Sequence, residues 1–252
     1  MSSYEFPFNE RIRTLLRIED LFKKVLVNIE AGQQHNHHSA LMSLLQLLDI
    51  IERADIKVDI VQELDRQRMT MHNLRGNPVI SEKILNNTIK EIEACSATLR
   101  TDNAKIGQAL RENEWLMSIK QRANIPGGVC QFDLPSYHYW INLGEERRKS
   151  DFETWLARLL PIFEAIKTIM HILRGSGNST KYTALNGFYQ QMLGGAKPAQ
   201  LLKIEVPDSC QCFPEVSANK YAINVRFNGL DFVQKPKQCE HDIDFKMTLC
   251  NL

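Results

Sequence analysis

Apolar residues recur at helical spacing through the first half of the chain and alternate with polar ones through its last third. Phe6-Pro7-Phe8 is a short apolar lead, and Asn9 suits the N-cap of a first helix. From there Ile12, Leu15, Leu16, Phe22, Val25, Leu26 and Ile29 fall on one face, and Gly32 ends the run. The following QQHNHH stretch has no apolar partner residues and reads as a solvated loop. Ser39 then caps a second helix carrying Leu41, Leu44, Leu45, Leu48 and Ile51. A third spans about Val58–Arg75, with Ile60, Leu64, Gln67, Met71 and Leu74 at the heptad-like spacing of a long antiparallel pair. Gly76 and Pro78 stop it. Ser81 opens a fourth, with Leu85, Ile89, Ile92 and Leu99 inward. A fifth covers Ala104–Ala123, with Ile106, Leu110, Leu116 and Ile119 among its inward residues. Such helices joined by short polar loops predict a bundle.

Pro126-Gly127-Gly128 breaks this pattern. Beyond it Cys130, Phe132 and Leu134 alternate with Gln131 and Asp133, which predicts a strand. The capping box Ser150-x-x-Glu153 opens one more helix, through Phe152, Trp155, Leu156, Leu159, Ile166, Ile169 and Leu173. Pro161 should kink or divide it, and Arg174-Gly175 closes it. Period-two patterns follow: Leu202, Ile204 and Val206; then Tyr221, Ile223, Val225 and Phe227; then Ile243, Phe245, Met247 and Leu249. They predict an antiparallel sheet with one face buried and one wet. The expected fold is α+β. A helical domain covers residues 9–125, with helix 150–174 packed on it. A β domain is drawn from residues 126–149 and 178–252.

Composition narrows the function classes. The 252 residues are 43% hydrophobic and 24% charged, as in an ordinary globular protein, and can bury a sizeable core. A net charge of +1 argues against a dedicated nucleic-acid binder. The charged N-terminus reads as no secretory signal. The apolar stretch Trp155–Leu173 contains Arg158, Pro161, Glu164 and Lys167, and so reads as a core helix rather than a membrane span. A cytoplasmic protein with six reduced cysteines is expected.

Chemical motifs are sparse. GxGxxG, GxxxxGK[ST], HExxH and GxSxG are all missing. Gly127-Gly128 and Gly194-Gly195 are isolated turn glycines. A metal-dependent enzyme would have to use His35, His37 or His38, or Cys210 with Cys212, and none has the usual ligand spacing. Cys210 and Cys212 would share one side of a strand and read equally well as two thiols. Cys130 with His138 is the one nearby thiol–imidazole pair, yet the two would stand far apart on a strand. The basic residues are more suggestive. Arg13, Arg17 and Lys24 share a helix face, partly offset by Glu10 and Asp20. Lys203 and Arg226 fall on the wet faces of strands, Lys220 opens one, and Arg53, Arg111 and Arg122 stand near helix ends. Each alone is an ordinary solubilising charge. Together they fit an electropositive groove for an acidic or C-terminal peptide. A nucleic acid is the other polyanion such a patch could take, against the near-neutral total.

The order of several blocks carries a resemblance. Asn9-Glu10-x-x-Arg13-Thr14-x-Leu16-Arg17-Ile18-Glu19 comes first, followed by Glu52-Arg53 and Glu63-Leu64-Asp65-Arg66-Gln67. Ile106-Gly107-Gln108, Leu110-Arg111-Glu112 and Gln121-Arg122 lead into Ile125-Pro126-Gly127-Gly128. Phe132-Asp133-Leu134-Pro135, His138, Trp140, Glu153-Thr154-Trp155 and Leu185-Asn186-Gly187-Phe188-Tyr189-Gln190 complete the set. This chain resembles the ZapD family, the bacterial Z-ring-associated proteins D, over nearly its whole length.

The resemblance implies a cytoplasmic division factor recruited to the midcell ring, with no enzymatic activity and no cofactor or metal. It implies a symmetric homodimer whose subunits each carry a helical and a β domain. The partner it implies is FtsZ, the tubulin-like division GTPase, bound through its C-terminal tail. Its filaments would be cross-linked and its GTPase activity lowered. Carried over by position, the tail-binding candidates are Arg17, Arg53, Arg111, His138, Lys220 and Arg226. Glu114 and Ala222 stand where members of the family can carry positive charge.

Overall fold

The apolar stripes of the N-terminal half close into helices in a computed structural model of the chain. The structure describes residues 1–53, 55–101, 105–193, 199–219 and 221–251, the side chain of Arg53 excepted. The fold is α+β and divides into two compact units, Thr14–Ile169 and Met1–Arg13 with Met170–Leu252.

Helix α1 (Glu10–Ala31) is capped as its sequence predicts: Asn9 Oδ1 accepts from Ile12 N–H at 2.8 Å. It stops at Gly32, whose φ of +74° closes the turn. The next stretch is no loop. Helix α2 (Gln34–Arg53) starts within it, so the histidines of QQHNHH occupy its first turns. Ser39 caps nothing; its Oγ donates to His35 O at 3.0 Å, inside the helix. Helices α3 (Ile56–Asn73) and α4 (Glu82–Thr101) form the expected pair. Ile60, Leu64, Gln67 and Met71 are buried on the first, and Leu85, Ile89, Ile92 and Leu99 on the second.

The expected fifth helix is two. Its first expected residue, Ala104, lies outside the described residues. Helix α5 (Gln108–Arg111) is one short turn, and α6 (Glu114–Ala123) restarts where Asn113 Oδ1 caps Leu116 N–H at 3.0 Å. The strand expected after the PGG break is also absent. Successive turns replace it: Gly128 N–H bonds Ile125 O at 2.8 Å, Cys130 N–H bonds Gly127 O at 3.1 Å, and Asp133 N–H bonds Cys130 O at 3.0 Å. These backbone groups are satisfied locally, so the segment needs no strand partner. Of the alternating residues only Leu134 is buried; Phe132 is 79% exposed. Pro135 then opens helix α7 (Pro135–Ile141). Residues 126–149 thus carry turns and helix, and group with the helical unit.

Helix α8 (Glu145–Leu156) begins before the supposed capping box. Glu145 and Glu146 stand in its first turn, where the helix dipole favours carboxylates, and Ser150 lies inside it. A break divides it from α9 (Leu160–Gly175), with Pro161 at the second position, where a missing N–H costs nothing.

The other unit holds eight antiparallel strands among the described residues. They are β1 (Ser2–Pro7), β2 (Ser179–Ala184), β3 (Phe188–Met192), β4 (Leu201–Val206), β5 (Cys212–Ala218), β6 (Ala222–Gly229), β7 (Lys237–Gln238) and β8 (Ile243–Cys250). One sheet runs β1-β4-β8-β2; the other runs β3-β6-β5, with β7 also on β6. The apolar lead expected at Phe6–Phe8 is largely strand β1, which pairs along β4 with Phe6 opposite Leu202. The core between the sheets contains Leu202, Ile204, Val225, Phe227, Phe245 and Met247. Tyr221, expected inward, is 61% exposed, and β6 starts one residue later.

Candidate partner-binding surfaces

The six carried-over candidates are divided between the units. Arg17 is exposed on α1. Arg53 is the last residue of α2, with its side chain outside the described residues, and Lys220 also lies outside them. Arg111 ends α5 half-buried: one guanidinium nitrogen donates to Ile106 O at 2.6 Å, and the other, Nη1, is buried with no acceptor. Much of this side chain therefore holds its own turn. His138 is exposed on α7, its Nε2 3.4 Å from Asn142 Nδ2. No bond joins Arg111 to His138.

Arg226 has the clearest docking geometry. It stands exposed on β6, directly across from Phe188 of β3 on one side and Glu215 of β5 on the other. It makes no ion pair among the described residues. Phe188 and Met192 are 40% and 70% exposed on the same sheet. A guanidinium with an exposed aromatic ring on one side of it can hold a carboxylate while covering part of the peptide, with Glu215 on its other side setting a charge limit. Lys203, by contrast, is paired with Glu205 at 3.1 Å. Arg13 and Lys24 of the helix-face trio are likewise paired, with Glu10 and Asp20, at 2.7 Å each.

Several concavities lie within the helical unit, among them one of about 390 Å³ beside Trp115 and Trp155. A groove of about 760 Å³ has a floor that includes Leu99, Leu110 and Leu159 and cations Lys57, Lys105 and Arg158 among its walls. A smaller one, of about 460 Å³, lies at the IPGG turn beside His38 and Lys120. Lys120 is already paired with Asp49 at 2.6 Å.

Of the three histidines named as possible ligands, His35 is exposed, and His37 and His38 are built into the fold. His37 is fully buried; its Nδ1 accepts from Arg148 Nε at 2.7 Å and its Nε2 faces Ile29 O at 3.2 Å. Burial lowers its pKa from 6.5, against the opposing Ile29 bond and with help from the nearby Arg148 charge. Burial also lowers that of His38, whose Nδ1 is 2.6 Å from Tyr137 Oη. Cys210 lies in a 3-10 turn rather than on a strand beside Cys212. Burial first, then the neighbouring Cys239 and Cys210 thiols, pushes the Cys212 thiol up to about 12. Such a thiol is packing rather than a nucleophile. Among the described residues, no group of three or more His, Cys, Asp or Glu is placed to hold a metal ion.

Residue patterns did not expose the role of Arg148, because EERRKSD reads as a solvated run. It is 4% exposed and donates to His37 and to the carbonyls of Gly32, Ile141 and Leu143. Nor did they show that Trp115, Trp140 and Trp155 gather with centroids 5.6–5.9 Å apart.

No helix among the described residues is long and apolar enough to cross a membrane. A family model described as ZapD, cell division protein, matches residues 16–226. The chain is 49% identical to the cell division protein ZapD of Aromatoleum aromaticum over 99% of its own length and 97% of the relative's. It is 49% identical to that of Dechloromonas aromatica and 48% to that of an Azoarcus species, each over the full length of both chains. A match of this extent shows that the chain belongs to the ZapD family of cell division proteins.

Proposed function

We propose that this chain is a non-enzymatic cross-linker of FtsZ filaments. It acts in the cytoplasm at the midcell ring as a homodimer. Each subunit binds the C-terminal tail of an FtsZ subunit, so filaments are bundled and their GTPase activity falls. The observation that carries the reading is full-length membership of a family of cell division proteins. The exposed, unpaired Arg226 beside Phe188 supplies chemistry suited to a peptide carboxylate. A twofold dimer holds two equivalent sites apart, and many tails on one filament convert weak single contacts into avidity.

Sedimentation with FtsZ and GTP tests this. More bundled FtsZ should pellet with the protein than without it, less so as salt screens the arginine contacts. Arg226→Glu should weaken pelleting while leaving thermal unfolding nearly unchanged. Pelleting that is unchanged by the protein, at a mass corresponding to a monomer, sinks the proposal.

A further inference from the structure

Among the described residues β1, β2, β3 and β5 end the two strand orders, and three of these carry a residue that discourages further pairing. Strand β1 contains Pro7, β2 contains Lys181, and β5 contains Pro214. The proline of β5 is placed on its outer side. Phe227, its partner, directs both its N–H and its C=O the other way, to Gly187 O at 2.8 Å and from Cys239 N at 2.9 Å. Strand β3 (FYQQM) has no charge and no proline, and among the described residues its ladder is with β6, apart from one bridge between Phe188 and Leu185 at its first residue.

The ladder shows which backbone groups of β3 are open. Phe227 N–H bonds Gly187 O, and Leu193 N–H bonds Tyr221 O at 2.6 Å. Residues 187, 189, 191 and 193 therefore face β6, and alternation turns the N–H and C=O of Gln190 and Met192 outward. The outward side of Phe188 is taken by a bridge to Leu185, whose O accepts its N–H at 3.0 Å, so the open stretch is Gln190 and Met192. Phe188, Gln190 and Met192 share the wet face, with Gln190 Nε2 donating to Asn224 Oδ1 at 2.8 Å.

Strand β7 prolongs this edge. Gln238 pairs with Asn228 and Lys237 with Gly229, on the side of β6 that β3 occupies. Beyond the Phe188 end the edge thus leads to Lys237 and Lys235, both exposed and without an ion pair among the described residues. The strands of this sheet contain Arg226 and Lys237 against one carboxylate, Glu215.

We propose that the open edge of β3 takes an extended C-terminal peptide as an added antiparallel strand. This deepens the filament-tail reading above and rests on it. Antiparallel addition sends the C-terminal end of the peptide toward the start of β3, and hence toward Lys237 and Lys235, which suit its terminal carboxylate. The backbone supplies the ladder, Phe188 and Met192 contact alternate side chains, and Arg226 can reach an acidic residue across Phe188.

The test titrates a labelled FtsZ C-terminal peptide against the full chain. Gln190→Pro removes an outward N–H without touching the bonds to β6, at a position where an edge strand tolerates proline. It should weaken binding by about tenfold, whereas Gln190→Ala should stay within about twofold. Lys237→Glu, or an amide in place of the peptide's terminal carboxylate, should also weaken binding. Should the proline variant not fold, peptides N-methylated at alternate amides report on the wild type. One alternation should lose about tenfold and the other little. A folded Gln190→Pro protein that binds like wild type, or two alternations that bind equally, overturns the edge pairing alone, with filament bundling intact. A wild-type protein that neither binds the peptide nor bundles filaments overturns both readings.

Discussion

Replacing Arg148 with methionine should destabilise the helical unit more than any single surface substitution. Its guanidinium bonds His37 Nδ1 at 2.7 Å, Gly32 O at 3.0 Å and Ile141 O at 3.2 Å, and also donates to Leu143 O. It thereby ties the end of α1, the start of α2, the end of α7 and the α7–α8 turn. A buried acceptor left without its donor costs about 1–3 kcal/mol. Four acceptors lose a donor together, but some gain water on relaxation, and the methionine no longer has to desolvate a charge. The net loss should be roughly 3–5 kcal/mol, within the range for breaking buried charged networks. At about 2–4 °C per kcal/mol for a unit of this size, the melting temperature should fall by roughly 6–20 °C. Calorimetry or far-ultraviolet circular dichroism would measure it. Arg148→Lys should fall between, since an ammonium keeps the charge but lacks the planar fork. If Arg148→Met melts within about 2 °C of wild type, the network is not what joins these helices.

Two further outcomes follow from the geometry. The folded His37 has its pKa below 6.5, chiefly through burial, so the unfolded chain binds more protons beneath that pH. Stability should therefore be full above about pH 6.5 and fall as the pH drops below it, with His38 contributing in the same direction. Urea midpoints should show a smaller drop from neutral to mildly acidic pH in His37→Asn than in wild type, and equal drops would refute the assignment. At the IPGG turn, a Cβ on Gly128 would lie 2.3 Å from Arg122 O and 2.9 Å from Ile125 Cβ. Gly128→Ala should cost roughly 1–3 kcal/mol by overpacking. Gly144→Ala, whose Cβ meets nothing within 4 Å, should melt close to wild type. Equal melting of the two variants would show that the turn can relax.

Much of the helical half could be read from periodicity because a buried stripe is a local property. Ile60, Leu64, Gln67 and Met71 are buried at the expected positions. Gln67 is the exception in kind: a polar residue on the stripe, held by bonds of 3.2 Å to Glu63 Oε1 and Ile169 O. Strands β4, β6 and β8 were legible for the same reason, whereas β5 and β7 were not. The readings that failed depend on distant partners. Cys130, Phe132 and Leu134 alternate like a strand, yet no neighbour pairs with them and local turns satisfy their backbone. Histidines 37 and 38 look solvated until Arg148 and Tyr137, about a hundred residues away, reach them. Of the site, the wet-face position of Arg226 was visible in the β6 alternation. The exposure of β3's edge was not, since an edge is defined by which strand is missing beside it.

By itself, then, the sequence determined where most apolar stripes run, the change from helical to strand period, and the ordered blocks that mark the family. The tertiary structure alone decided that Ser2–Pro7 is a strand, because its pairing with β4 brings together residues some two hundred positions apart. It also decided that Arg148 is structural, and that, among the described residues, FYQQM has its ladder with β6 alone while Pro214 stands on the outer side of β5. The physical reason is common to all three. Periodicity records which side of an element is dry, whereas hydrogen-bond satisfaction and strand order depend on groups that only the folded chain brings together.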